Sequence, residues 1–364
     1  MSVDDARTVI DAAIAARTFP AAAAEVGAAH GIVWAQQFGR LRFDPDAPPA
    51  LQDTIFDLAS LTKPIATTSI AMSLLGSGTL ALDAQVSDFF DDWRGADRET
   101  VTVRDLLEHA SGLPARLVDQ PPATRREFEH EISTIHLEYE PRTRSIYSDL
   151  GFILLGFVLE RIGRASLADL FERITRIGAV SESPFHFGID DMLAFGVPAD
   201  ARPRAAPTEP LPEDPRRGRT LTGEVHDNYA AALGGVAGHA GLFATASGVG
   251  AFARALLRAA RGIDGDAPFP PALVALFTTR SAVPGSSRAL GWDTMLPTSS
   301  CGRRMSPQAF GHVGYTGTSL WIDPQRDRYF VLLTNRALAG GGTPHELSAM
   351  RAVRRGFHDA LGDL

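Results

Sequence analysis

Phe56-Asp57-Leu58-Ala59-Ser60-Leu61-Thr62-Lys63-Pro64 reads as a short extended lead running into a helix whose first turn carries a serine and, one turn on, a lysine. That spacing brings the lysine amine within reach of the serine hydroxyl. A serine hydroxyl is a weak nucleophile until a neighbour takes its proton, so the pair has the chemistry of an activated nucleophile. The spacing alone fits an N-cap serine followed by a surface lysine equally well. Pro64 lies early enough that its missing N–H costs the helix little. Ile65 to Leu75 is apolar or small on nearly every face, which places the helix inside the protein until Gly76-Ser77-Gly78 ends it. Ser60 is thus expected at a rigid, buried helix end, beside N–H groups and the positive end of the dipole.

On either side of this helix the chain alternates strand and helix patterns. Val9 to Ala16 reads as an amphipathic helix, and Ala22 to Gly27 and Gly31 to Phe38 as a hairpin broken at Ala29-His30-Gly31. Ala309 to Gly314, Ser319 to Asp323 and Arg328 to Asn335 read as three more strands, followed by a closing helix from Pro344 to Leu361. The middle is helical: Thr102 and Asp105 make a capping-box start for Val103 to His109, and Asp149 to Ile162 is a helix closed by Gly163. These patterns predict an α+β protein with an antiparallel sheet of five or more strands drawn from both termini and flanked by helices. Residues 1–80 and 228–364 form its sheet domain, and 81–227 a mostly helical insertion. Residues 198–220, with six prolines and many arginines, read as a long loop that is either functional or a linker between subdomains.

The 364 residues can bury a large core, and 45% hydrophobic with 21% charged residues is the balance of a soluble globular protein. A net charge of −8 and a pI near 5.7 exclude a phosphate-binding surface as the main business of the chain, so no nucleic-acid partner is expected. The single Cys301 excludes an intramolecular disulfide and a cysteine zinc site. His345-Glu346 lacks the second histidine of H-E-x-x-H, Gly234-Gly235 and Gly238 precede no G-K-[ST], and no G-x-S-x-G elbow occurs. No metal, cofactor or nucleotide is therefore expected, and the glycines read as close backbone packing. The acidic start Met1-Ser2-Val3-Asp4-Asp5 is unlike a secretory signal, and the longest apolar run, Leu150 to Leu159, is well short of the roughly 20 residues of a membrane span. A cytoplasmic protein without a membrane partner is the expectation.

Two further segments supply groups that a serine nucleophile needs, a proton acceptor and oxyanion donors. Tyr147-Ser148-Asp149 opens a helix, and Gly311-His312-Val313-Gly314-Tyr315-Thr316-Gly317 lies on a glycine-rich strand. With Ser60 and Lys63, these match in order and spacing the S-x-x-K, Y-x-N and K-T-G or H-x-G motifs of the serine β-lactamase-like and penicillin-binding-protein superfamily, which the chain resembles, especially its class C β-lactamase and esterase branch. Leu106-Leu107-Glu108-His109-Ala110-Ser111-Gly112-Leu113 and Thr79-Leu80-Ala81-Leu82-Asp83 are similar to further family segments, so the resemblance runs from about Phe56 to Asn335. Gly223 to Asn228 and Leu233 to Phe243 are similar to a branch of esterase-like proteins and muramyl-peptide amidases.

The resemblance implies a catalytic set of Ser60, Lys63 and Tyr147, an oxyanion hole from the backbone N–H groups of Ser60 and Tyr315, and substrate contacts from Asp149, His312 and Gly314. Tyr147 serves as base only if cations stabilise its phenolate or Lys63 takes the proton instead. His226, Asp227 and His239 read equally well as pocket lining and as supports of a tight loop, with His239 kept as a candidate substrate contact. Two departures stand out: His312 replaces the usual lysine and would hold a substrate carboxylate less firmly, and Asp149 replaces the usual asparagine, adding negative charge that disfavours anionic substrates unless it pairs with Lys63.

The expected protein is a serine hydrolase cleaving a small-molecule ester or amide through acyl-Ser60. Esterase or muramyl-peptide amidase activity, the latter on a cell-wall-derived muropeptide, ranks above β-lactamase or D,D-carboxypeptidase activity. An acyltransferase shares the mechanism. A catalytically silent binding protein on the same fold is disfavoured by the joint presence of Ser60, Lys63 and Tyr147. The sequence is silent on oligomeric state.

Overall fold

A computed structural model describes residues 2–117, 121–177, 191–263, 269–340 and 342–362. Its main sheet is antiparallel and six-stranded, in the order β2-β1-β9-β8-β7-β6. The hairpin β1 (Ala21–Ala28) and β2 (Gly31–Gly39) joins β7 (Phe310–Val313), β8 (Ser319–Asp323) and β9 (Arg328–Thr334) because β1 pairs with β9, Ala22 opposite Thr334. The short β6 (Asp293–Thr294) adds the sixth strand at the far edge.

Strand β1 is buried along its whole length because both faces of the sheet are covered. Its side chains alternate: Ala22, Ala24 and Val26 join one core with the helices Val3–Ala15 and Pro344–Leu361, which pack on each other. Ala21 and Ala23 face a second core, with the Ala246–Ala260 helix and the central helices. Small alanines on β1 let the covering helices approach closely, and the same density ties the strand bearing His312 to the rest of the sheet.

A second, three-stranded sheet was not foreseen: β3 (Phe56–Asp57), β5 (Leu242–Ala244) and β4 (Leu193–Phe195), with β5 in the middle. Two- and three-residue strands are too short to show an alternating pattern. This sheet delivers Leu58 and Ser60 to the edge of the large one, where Thr318 Oγ donates to the Leu58 carbonyl at 3.0 Å and Thr316 Oγ to the Asp57 carbonyl at 2.7 Å.

Helix boundaries differ in instructive ways. The helix after Ser60 does not begin as an α-helix: a 3-10 turn spans Ala59–Leu61 and a wider π turn Lys63–Thr67 before the α-helix Thr68–Gly76. Pro64 has no N–H to continue a regular ladder, and π turns recur at functional sites for that kind of reason. The Asp149–Gly163 helix runs one residue past its expected end, and Arg164, at φ 51°, takes the left-handed position instead of the glycine. The first helix starts earlier than expected, at Val3, with a Ser2 and Asp5 capping box. The loop 198–220 is tied down by bridges from Ala205 to Ile55 and Thr208 to Leu221, and by Asn335, whose side chain donates to the Pro207 carbonyl. Among the described residues, no helix is long and apolar enough to cross a membrane.

Candidate active site

Ser60 opens onto a cavity of about 700 Å³, lined also by Tyr147, Asp149, His239, His312 and Gly314, and by Leu211, Glu213 and Asp214 of the 198–220 loop. The loop is therefore part of a cavity wall.

Lys63 is the hub of the site and has no solvent exposure. Its Nζ donates to Ser60 Oγ at 3.1 Å, Tyr147 Oη at 2.6 Å, Asp149 Oδ1 at 2.7 Å and the His239 carbonyl at 3.3 Å. Tyr147 Oη in turn donates to Ser60 Oγ at 2.6 Å. Burial alone would strip the proton from Lys63, but the Asp149 and Tyr147 oxygens outweigh it and hold the ammonium above its ordinary value. Burial pushes the Tyr147 phenol up, helped by the Asp149 charge, against the opposing pull of Lys63. At rest, then, Lys63 is charged, Tyr147 neutral, and Ser60 Oγ receives hydrogen bonds from both.

Of the two alternatives the sequence leaves open for Asp149, pairing with Lys63 is the one seen. Its carboxylate does not present bare charge to the cavity: Oδ1 pairs with Lys63 and Oδ2 with Arg116 at 3.1 Å. Arg116 also pairs with Asp227 at 2.9 Å and donates to Asn228 Oδ1 at 2.7 Å, and Asp227 accepts from His239 Nε2 at 2.8 Å. Two cations and two carboxylates thus offset one another behind the nucleophile. His239 reaches the site through its backbone carbonyl as well as its ring, and Asp227 is a strut: it bridges Arg116 and His239 and caps the Asn228–Ala232 helix through the Ala230 N–H.

Local structure aims each group. Ser148 caps the Asp149–Gly163 helix, accepting from Gly151 N–H, and donates to the Pro114 carbonyl at 2.6 Å; such a cap is worth about 1 kcal/mol. His109 accepts from the Ser148 N–H through Nδ1 and lies against the Tyr147 ring, tilted by 41° with centroids 4.8 Å apart. Gly314 lines the cavity, yet its lack of a side chain serves the nucleophile: a Cβ there would sit 2.4 Å from the Leu58 carbonyl. Gly238 bears out the close-packing expectation, since a Cβ would meet the Phe152 carbonyl at 2.0 Å, but Gly234 and Gly235 do not: a Cβ there would meet nothing within 4 Å, and their φ values of 82° and 90° are what call for glycine.

Residue Ala59, next to the nucleophile, lies at φ 47°, a left-handed conformation costly for a side-chain-bearing residue. Asp57 holds it there. Its Oδ1 accepts from Ala59 N–H at 2.7 Å and its Oδ2 from His226 N–H at 2.6 Å, while burial raises the carboxyl to about 6 against those two bonds. An aspartate bonding the N–H two residues on is an Asx-turn pattern, the signal in the sequence that could have found it. Asp57→Ala should orphan two buried donors, at about 1–3 kcal/mol for each. A urea melt checks this, with hydrolysis falling below the loss in folded fraction; unchanged stability would remove Asp57 from this role.

The sequence reading missed four arginines that line the cavity: Arg116, Arg288, Arg336 and Arg354. Arg336 donates through Nε and Nη2 to the Tyr315 carbonyl at 2.9 and 2.7 Å, and Arg354 Nη2 donates to the Gly314 and Thr318 carbonyls. Both brace the strand turn carrying Tyr315, against which His226 stacks at 5.4 Å. Burial and the neighbouring arginines lower Arg354 to about 9.

Comparison with known proteins identifies the family and the fold. The family model described as Beta-lactamase matches residues 6–353. A "Putative D-alanyl-D-alanine carboxypeptidase" of Escherichia coli K12 is 31% identical over 317 residues, covering 79% of this chain and 70% of the relative. A class C β-lactamase from Rhodobacter sphaeroides superposes with TM-score 0.72 at 21% identity, covering 96% of this chain and 98% of the other. EstCE1, a hydrolase with promiscuous acyltransferase activity, superposes with TM-score 0.71 at 19% identity, covering 97% and 98%; these two likenesses show the shared fold. The chain belongs to the Beta-lactamase family, as a serine hydrolase of that family's fold.

Proposed function

We propose that the protein hydrolyses an ester or amide through an acyl-Ser60 intermediate, as an esterase or muramyl-peptide amidase, in the cytoplasm. The observation that carries the reading is the triangle of Ser60 Oγ, Lys63 Nζ and Tyr147 Oη, closed by contacts of 3.1, 2.6 and 2.6 Å at the cavity wall. Ser60 Oγ attacks the substrate carbonyl as the Lys63–Tyr147 pair, having first lost one proton, takes the serine's proton. Backbone N–H groups of Ser60 and Tyr315 hold the oxyanion. The bond to the leaving group then breaks, the pair returns the proton to it, and water hydrolyses the Ser60 ester by the same route. A panel of short-chain aryl esters, a muramyl-L-alanyl peptide and a chromogenic cephalosporin tests it: preference for the cephalosporin would overturn the substrate ranking. The competing reading, a D,D-carboxypeptidase, is supported by the name of the Escherichia coli relative and by Arg288, whose guanidinium lies 5.4 Å from the Tyr147 ring centroid on the cavity wall.

Because the resting pair holds one proton too many, hydrolysis should rise with pH. Asp149 raises the proton affinity of both Lys63 and Tyr147. Asp149→Asn removes that charge, so whichever group is the base, the rising limb of kcat/KM against pH should move to lower pH. A limb that stays put or moves up would show that Asp149 does not set the pair's proton affinity.

A further inference from the structure

His312 is 3% exposed and lines the cavity, its ring 6.0 Å from that of Tyr147. Its Nδ1 lies 2.8 Å from the Val313 carbonyl oxygen. A carbonyl only accepts, so Nδ1 carries the ring proton, and in the neutral ring Nε2 is left with a lone pair. Nε2 is buried and, among the described residues, has no hydrogen-bond partner. A buried acceptor without a donor is costly, so a group that enters the cavity lined by His312 and donates to Nε2 would be favoured.

We propose that His312 is a specificity-determining residue whose Nε2 accepts a hydrogen bond from a neutral N–H or O–H of the substrate, close to the bond that Ser60 attacks. The inference rests on the serine-hydrolase reading and narrows its substrate to one bearing a donor, such as an amide N–H or sugar hydroxyl, near the scissile carbonyl. The surroundings keep the ring in this form. Burial holds its proton affinity well below the ordinary histidine value, and Arg288, Lys63 and Arg354 add positive charge that opposes a second ring proton. A substrate carboxylate would bring an acceptor to an acceptor. This reverses the role of the lysine common in related enzymes: a lysine offers only donors, His312 offers a lone pair.

The test compares the p-nitrophenyl esters of N-acetylglycine and N-acetylsarcosine, which differ by one N–H replaced with N–CH3, on wild type and on His312→Gln, His312→Lys and His312→Phe. Wild type should favour the N–H ester by about ten- to a hundredfold in kcat/KM, the range expected when a buried group loses its partner. His312→Gln keeps a carbonyl acceptor and should retain part of that ratio. His312→Lys and His312→Phe should collapse it towards the steric effect of the methyl group. Equal ratios in all four proteins overturn the proposal, as does a gain by His312→Lys on the N–H ester. Fluorophosphonate labelling separates the two readings. An adduct at Ser60 with unchanged ratios sinks only the donor proposal, whereas failure of both esters and the fluorophosphonate to modify Ser60 sinks the hydrolase reading and this one with it.

Discussion

Replacing Ser60 with alanine should lower ester hydrolysis by about a thousandfold or more, the scale seen when the nucleophile of a cooperating catalytic set is removed. The expectation follows from geometry: Ser60 Oγ is the atom on which Lys63 Nζ and Tyr147 Oη both converge. Its alanine variant should keep the fold, because Ser60 is only partly buried and lies outside the hydrophobic cores. Intact mass after fluorophosphonate treatment should show one adduct on wild type and none on Ser60→Ala. Hydrolysis surviving the substitution would mean that the chemistry belongs to another residue.

Lys63→Met should be as damaging to turnover and far more damaging to folding. Methionine is close to lysine in length but leaves Asp149 buried, with Arg116 as its remaining salt-bridge partner among the described residues; that guanidinium is 38% exposed at its side chain and shared with Asp227. Breaking one side of a buried ion pair costs about 3–5 kcal/mol. Adding Asp149→Asn removes the stranded charge, so the double variant should regain much of the stability while remaining inactive. Urea midpoints for the two single variants and the double close this cycle. Additive losses would show that the two groups do not interact, and recovered turnover in the double variant would show that Lys63 is not in the proton path.

What could be read from the sequence was whatever a short window carries. Ser60 and Lys63 share one turn, Tyr147 and Asp149 one helix start, and the closing helix announces its span from Pro344 to Leu361 by a Thr343 cap and an apolar stripe. Arg116 was not legible, because its partners Asp149 and Asp227 lie far along the chain and only the fold brings them to one loop. The sequence could leave the pairing of Asp149 with Lys63 only as an alternative, and its second partner was hidden for the same reason: a window around residue 149 contains neither Lys63 nor Arg116. Strand β5 was hidden by its length, and the bracing of Tyr315 by Arg336 and Arg354 depends on two elements meeting that no local pattern relates.

The paired charges behind Ser60 have a consequence for the medium in which the protein works. Dissolved ions weaken attractions between solvent-exposed charges, most of all beyond about a Debye length, but reach buried pairs poorly. Lys63 is wholly enclosed, and Asp149 and Asp227 nearly so, whereas pairs such as Arg219 with Glu224 lie open at the surface. Rising ionic strength therefore erodes the outer pairs first and leaves the proton affinities around the nucleophile largely untouched, so the chemistry tolerates salt better than the surface that surrounds it.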